Sequence, residues 1–393
     1  MIGNTKTEIR KCFLRNNYNK SIFTEKLKLY NQGTVLISYA ICKKSGLVYQ
    51  NRSLSRRELE KYYSQFHFSL ENASTPSDEK LRNFQRYLHL INQEFKNYPK
   101  SVLEISLFNL FLLKQFLKRG SKIVHGLEPN QKFQTRKIGK IKIFNNTIEK
   151  FKSKKKYDLI ILTHVLEHLM NPLEALKKCS KLQNFNQKIL VEVPLFDKIE
   201  LYPIAGLTME HIYYFSEDNL RELLAKAGYE ILSITKTYNS TQMPFITVVA
   251  QKVGKIHYIE KNDQFKNQAK LFKKYLIIHR ARYKKINSVI NKINRNKPTY
   301  LYGVGMTASS FVFHSNIQKK LKVSGIFDGN PDKIGGKFGE LPVLDYDKLN
   351  KKNFKKNIII ASEFSSDIIS KKIKSKNNII YKLDKKYGLQ KIR

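Results

Sequence analysis

Between Lys100 and Gln251 the apolar positions come in short, nearly uninterrupted runs separated by helix-length amphipathic stretches. Continuous runs of this kind suit strands buried on both faces of a parallel sheet. The pattern predicts strands at Ser101 to Ile105, Lys122 to Leu127, Asp158 to Thr163 and Lys188 to Pro194, and a closing pair at Glu230 to Thr237 and Phe245 to Gln251. Helices are expected at Leu107 to Lys118, closed by Gly120, and at Leu173 to Leu182, opened by Asn171 and Pro172. Another starts after Ser216 and stops at Gly228. Alternating strands and helices define an α/β fold with a doubly wound sheet.

The flanks read differently. The first 70 or so residues are short strand-like pieces ending in a capping box, Ser55 to Glu58, that opens a helix over Arg57 to Tyr63. Pro76 suits the first turn of a second helix, which runs to about Phe95. After the central region, apolar and aromatic side chains recur at Phe265, Ala269, Phe272, Leu276, His279, Tyr283, Ile286, Ile290 and Ile293, one stripe on a long helix that Pro298 ends. Such a stripe packs along a domain or along a second copy of the chain. Strand, glycine turn and helix then restart. The expected organisation is a small N-terminal module (1–75), the large α/β domain (76–255), a linking amphipathic helix (256–298) and a second, smaller Rossmann-like α/β domain (299–393).

With 393 residues the chain is long enough for several cores. Lys and Arg number 73 against 32 Asp and Glu, a net charge of +41 that favours anionic partners. A bias toward Lys, Ile and Asn also follows from AT-rich coding sequence. The charge is spread along the chain and no nucleic-acid motif appears, so phosphorylated small molecules are preferred over nucleic acid as partners. Three scattered cysteines, Cys12, Cys42 and Cys179, give no disulfide framework and point to a reducing cytoplasm. No stretch reaches the roughly 18 apolar residues of a membrane span.

Candidate chemistry gathers at the predicted strand ends. Glu128 follows the second strand, where an acid can accept both ribose hydroxyls of a bound nucleoside. His164, Glu167, His168, Glu210 and His211 fall at or just beyond other strand ends, where a base could serve a reacting group. In the C-terminal part, strand Tyr300 to Tyr302 runs into Gly303, Gly305 and Ala308, a Gly-x-Gly-x-x-Ala turn, and Asp328 ends the next strand. That context suits a phosphate or nucleotide at a helix N-terminus.

Taken in order, the segments Val102 to Ile105, Gly126 to Asn130, Tyr157 to Pro172, Leu190 to Pro194 and Glu210 to Ser216 resemble the class I S-adenosylmethionine-dependent methyltransferases of the sugar- and glycan-modifying, C-methyltransferase-like branch. The resemblance extends to the C-terminal domain through Asp328 to Gly336 and Leu341 to Val343. It implies S-adenosylmethionine as cofactor and a nucleotide-linked sugar or surface-glycan precursor as acceptor. It implies cofactor contacts at Glu104, Ser106, Asn109, Glu128, Thr163 and His164. Acceptor chemistry falls to His211 with Glu210 as orienting acid and His168 in support, and nucleotide or substrate contacts to Tyr214, Gly303, Gly305, Ala308 and Asp328.

Three departures accompany it. Thr208 and Met209 replace the first two members of a Tyr-His-Glu-His run, which leaves O- or N-methylation open beside C-methylation. The family's Gly-x-Gly-x-Gly loop becomes Ser106, Phe108 and Leu110, so a filled or reshaped cofactor pocket is expected. The alternative reading is therefore a catalytically degenerate methyltransferase scaffold that binds a nucleotide or nucleotide sugar through its C-terminal domain. The N-terminal module resembles a four-cysteine zinc ribbon in which Arg15 and Ser45 stand for two cysteines; Cys12 and Cys42 alone cannot close a tetrahedral site, so no zinc is expected there.

Overall fold

The computed structural model describes residues 5–64, 78–107, 109–130, 134–238, 243–259, 261, 263–350, 356–363, 365–373, 378–384 and 388–393. At the N-terminus β1 (Thr7–Ile9), β2 (Phe23–Leu29), β3 (Gly33–Ile41) and β4 (Val48–Leu54) form an antiparallel sheet in the order β1-β4-β3-β2. Helix α1 (Arg56–Ser64) follows, with Ser55 Oγ accepting from Glu58 N at 3.3 Å as the capping box requires. Helix α2 (Asp78–Glu94) comes next, and Pro76 lies outside the described residues.

The central sheet is built from β5 (Ser101–Ile105), β6 (Ile123–Leu127), β7 (Arg136–Ile138), β8 (Ile141–Phe144), β9 (Leu159–Thr163) and β10 (Lys188–Pro194), with α3 (Phe111–Lys118) after β5 and α4 (Pro172–Lys181) after β9. A two-residue strand β11 (Tyr213–Tyr214) leaves this sheet to pair with β4, and α5 (Glu217–Lys226) leads to β12 (Tyr229–Thr237) and β13 (Phe245–Lys252). The strand order is β12-β13-β10-β9-β5-β6-β8-β7. Strands β10, β9, β5, β6 and β8 are mutually parallel, while β13 is antiparallel to β10. Chain order therefore reverses between β5 and β9, which opens a crevice at their C-terminal ends.

Two local expectations need correction. The helix expected from Leu107 begins at Phe111, because Ser106 takes a left-handed backbone (φ +60°) and Asn109 Oδ1 accepts from Phe111 N at 2.8 Å. The β7 and β8 hairpin was not anticipated, since Arg136, Lys137, Lys140 and Lys142 break up the apolar pattern by which the other strands were read.

Helix α6 (Gln264–Ile290) joins the units. Its N-terminal half sets Phe272 and Tyr275 into the core shared by the N-terminal and central sheets, and its C-terminal half sets Tyr283, Ile286 and Ile290 into the core of the last domain. Tyr275, and not Leu276, is the buried residue of that turn, and Phe265 is exposed. The stripe is thus covered within one chain, so a second copy is not needed to bury it. The C-terminal domain holds β14 (Thr299–Tyr302), α7 (Met306–His314), α8 (Ile317–Lys320), β15 (Val323–Asp328), β16 (Lys337–Phe338), β17 (Leu341–Asp345), β18 (Asn357–Ile360), α9 (Ser366–Lys372), β19 (Ile379–Asp384) and β20 (Gly388–Lys391), in a sheet ordered β16-β17-β15-β14-β18-β19-β20. It docks on the N-terminal module: Tyr30 Oη donates to Asp332 O at 3.1 Å, and Ser309 Oγ to Lys28 O at 2.8 Å. Among the described residues no helix is long and apolar enough to cross a membrane.

Candidate active site

Sheet register gathers the candidates at one edge. Glu104 on β5 pairs with Gly126 on β6 and Ile161 on β9, so Ser106, Glu128 and Thr163 lie two residues further along, at the mouth of the crevice. Thr163 pairs in turn with Glu192 on β10, and Glu192 with Thr247 on β13. A polar row thereby crosses the C-terminal edge of an otherwise apolar sheet.

Burial tunes the first group. Glu104 is 4% exposed, its Oε2 has no hydrogen-bond partner, and desolvation raises its carboxyl to about 8. Glu128 is raised to about 7 by burial, against the stabilising backbone N–H groups of Asn130 and Leu107. Asn109, buried at the start of α3, leaves Nδ2 without a partner. Glu104 thus offers an open acceptor and Asn109 an open donor beside the chain reversal. The expected filling of this loop is also corrected in part. Leu107 and Leu110 pack into the core between α2 and α3, and a Cβ added at Gly126 would lie 2.6 Å from Leu107 Cδ1. Phe108 lies outside the described residues.

A second group is centred on Glu167, which follows β9 in a short 3-10 turn and is 0% exposed. Its Oε1 lies 3.5 Å from His164 Nδ1 and 3.9 Å from His168 Nε2, and neither carboxylate oxygen completes a hydrogen bond. Burial alone would raise this carboxyl; the imidazoles of His164, His168 and His211 outweigh it and hold the group below the usual carboxylate range. His168 and His211 meet edge to face at 4.9 Å, and His168 Nδ1 is 2.8 Å from Glu210 O. His211 is pushed down to about 3 by burial and by His168, and its Nδ1 is buried without a partner. A neutral imidazole thus stands beside a buried carboxylate, with one nitrogen unpartnered.

His164 is held on both sides. Its backbone is left-handed (φ +55°), and its Nε2 is 3.0 Å from Glu192 Oε1. Partial desolvation of this half-exposed ring disfavours its charge, yet Glu167 and Glu192 together raise it to about 10. Glu192, 0% exposed, also accepts from Arg86 Nη2 at 2.6 Å and from the hydroxyls of Tyr87 and Thr247. Arg86 continues to Thr247 Oγ1 at 2.8 Å and stands over the Phe245 ring at 4.6 Å. Arg86, Tyr87, Glu192 and Thr247 had no expected role. The available signal was the polar residue interrupting each of two buried runs, Glu192 in β10 and Thr247 in β13.

Other expected residues are placed differently. Glu210, anticipated as the acid that orients His211, accepts from Tyr62 Oη at 2.6 Å, and Glu167 is the carboxylate beside the imidazoles. Tyr214, anticipated as a substrate contact, is a core residue 1% exposed, whose hydroxyl accepts from Thr208 N at 2.8 Å. Ala308 is likewise fully buried, within α7. Gly303 takes φ +98°, as the turn requires, and Gly305 has open space where a Cβ would stand. Asp328 Oδ2 accepts from Val304 N at 2.8 Å, so this acid braces the glycine turn itself.

Residues 78–234 match the family model described as a methyltransferase domain. This part of the chain is similar to methyltransferase domains. Residues 294–380 match the family described as a CoA binding domain, consistent with the Rossmann-like sheet of the C-terminal unit. No curated protein matches the chain. Solved structures similar to it include a Burkholderia thailandensis 1,6-didemethyltoxoflavin-N1-methyltransferase, at 12% identity and TM-score 0.38, covering 55% of this chain and 95% of that one. They also include a magnesium protoporphyrin IX methyltransferase from Synechocystis, at 12% identity and TM-score 0.38, covering 51% and 100%. An N-methyltransferase from Bradyrhizobium japonicum is similar at 9% identity and TM-score 0.36, covering 50% and 97%. The Glu167 cluster and the Glu104 edge both lie within the matched residues 78–234.

Proposed function

We propose that this protein transfers a methyl group from S-adenosylmethionine to a nucleotide-linked sugar or surface-glycan precursor in the cytoplasm. The observation that carries the reading is the buried Glu167 carboxylate beside His168 and His211, at the end of β9, with His211 Nδ1 unpartnered. The cofactor, when bound, supplies a methyl group made electrophilic by its sulfonium. Glu104 and Asn109 hold its amino-acid end, Glu128 its ribose, and Ser106, Thr163 and His164 line the mouth. His211 Nδ1 takes the acceptor's proton, and Glu167 stabilises the imidazolium that results. In the C-terminal domain the backbone of Gly303 and Gly305 approaches a phosphate of the nucleotide, and the basic surface gathers anionic substrates.

The test is calorimetric binding of S-adenosylmethionine and S-adenosylhomocysteine, followed by a screen of nucleotide sugars as methyl acceptors. Micromolar binding that Glu128→Ala abolishes is the expected result. A folded protein that binds neither compound would overturn the reading and leave a scaffold whose nucleotide site is the Gly303 turn.

A further inference from the structure

A cluster of side chains able to ligate a metal lies where β2, α6 and α7 meet. Glu25, from β2, is 0% exposed; its Oε2 accepts from Tyr39 Oη at 3.0 Å, and its Oε1 lies 2.5 Å from His314 Nε2. His279, from the middle of α6, is 3% exposed, and its Nε2 has no hydrogen-bond partner. The rings of His279 and His314 meet edge to face at 4.4 Å. One ligand atom from each of the three residues lies within 4.8 Å of the others.

A hydrogen bond explains the contact between Glu25 and His314. It leaves His279 Nε2 unexplained, because a buried nitrogen without a partner is costly and rarely retained without a reason. From the donor set and this open nitrogen we infer that Glu25 Oε1, His279 Nε2 and His314 Nε2 bind one divalent transition-metal ion of the zinc type. Two imidazoles and a carboxylate form a recognised ligand set for such ions. Tetrahedral coordination at 2.0–2.1 Å sets ligand atoms roughly 3.3 Å apart, so the Glu25 and His314 pair opens and His279 closes in. The rest of the cluster is arranged as outer-shell support. The Tyr39 hydroxyl fixes the second carboxylate oxygen, and Phe23 stacks on His314 at 6.1 Å with the rings nearly parallel.

His279 and His314 also line a cleft of about 540 Å³ with Arg280, Tyr283, Lys284 and Asn287. Three protein ligands leave a further coordination position for water. Because β2, α6 and α7 belong to the N-terminal module, the linking helix and the C-terminal domain, the ion ties three parts of the chain together. The cysteine count, which argued against zinc at the N-terminal module, says nothing about this place.

The experiment uses the full chain, stripped of metal by chelator, and Co²⁺ alone as the probe. One equivalent of Co²⁺ is expected to bind with visible d–d absorption and no thiolate charge-transfer band, and to raise the thermal midpoint. Glu25→Gln and His314→Gln should each weaken binding roughly tenfold or more, while His211→Asn, in the methyltransferase cluster, should leave it intact. His314 is at the edge of the cleft, so His314→Gln serves if Glu25→Gln does not fold. Absence of Co²⁺ binding, or binding that His211→Asn removes and His314→Gln keeps, would overturn the assignment. Neither readout depends on a methyl acceptor.

Discussion

The imidazole of His164 bonds through Nε2 to the buried carboxylate of Glu192 at 3.0 Å, while the same residue holds a left-handed backbone at φ +55°. A strained residue at the end of a central strand persists only where its surroundings fix it. Here two carboxylates do so, and they also set the charge of the ring. Its folded-state pKa, about 10, lies above the ordinary 6.5. The stabilisation from its charge is therefore complete below pH 6.5 and lost as the pH rises through about 10. The thermal midpoint of the wild type should fall across that window more steeply than that of His164→Asn. The side chain is 45% exposed, so solvent screening keeps the effect modest. Parallel curves for the two proteins would show that the ring does not carry the charge.

Glu104 carries the opposite burden. Its folded-state pKa of about 8 exceeds the ordinary 4.5, so the contribution of its protonated form is complete below pH 4.5 and lost as the pH rises through 8. Glu104→Gln should stabilise the free protein above pH 8, by on the order of 1–3 kcal/mol, because no buried charge has to form. The same substitution should weaken S-adenosylmethionine binding. A cationic ligand group placed on Glu104 should also displace its proton, so binding heats measured at pH 7.5 in two buffers of different ionisation enthalpy should differ for the wild type and agree for Glu104→Gln.

Arg15 stands where the resembled zinc ribbon has a cysteine, and it pairs with Glu222 of α5, which is fully buried and also meets Lys226 Nζ at 2.6 Å. Removing one member of a buried pair leaves the other uncompensated. Arg15→Ala should cost roughly 3 kcal/mol in urea unfolding, the low end of the usual range, since Lys226 remains. A loss below about 1 kcal/mol would mean that the salt bridge does not hold the N-terminal module to the central domain.

Gly206 begins the segment that carries Thr208 to His211, at φ +64°, and a Cβ there would overlap the Tyr275 hydroxyl, which accepts from Leu207 N at 3.2 Å. Gly206→Ala should destabilise the protein by roughly 1–3 kcal/mol through backbone strain and overlap together. Adding Tyr275→Phe should recover only the part due to overlap. Full recovery in the double variant, read by thermal unfolding, would show that the positive φ itself costs nothing.

What the chain announces on its own is the parallel core and the edges of its helices. A strand covered on both faces must be apolar throughout, and so β9 and β10 stand out in the sequence; Asn171 and Ser216 mark helix starts because their side chains cap backbone N–H groups in the structure, accepting from Glu174 N and Asn219 N. Residues after strands, among them Glu128 and His164, could be picked out because sheet topology sends strand ends to a common edge. The partners they would find were not legible. The sequence could name Glu167 and His211 but not bring Glu210 away to Tyr62, since a carboxylate's neighbour is decided by packing between elements. Nor could it choose between one chain and two for the stripe of α6, because an amphipathic period states that a face is buried and not what buries it. Glu25 and His314 are 289 residues apart, and only the docking of the C-terminal domain on β2 and α6 brings their side chains into contact.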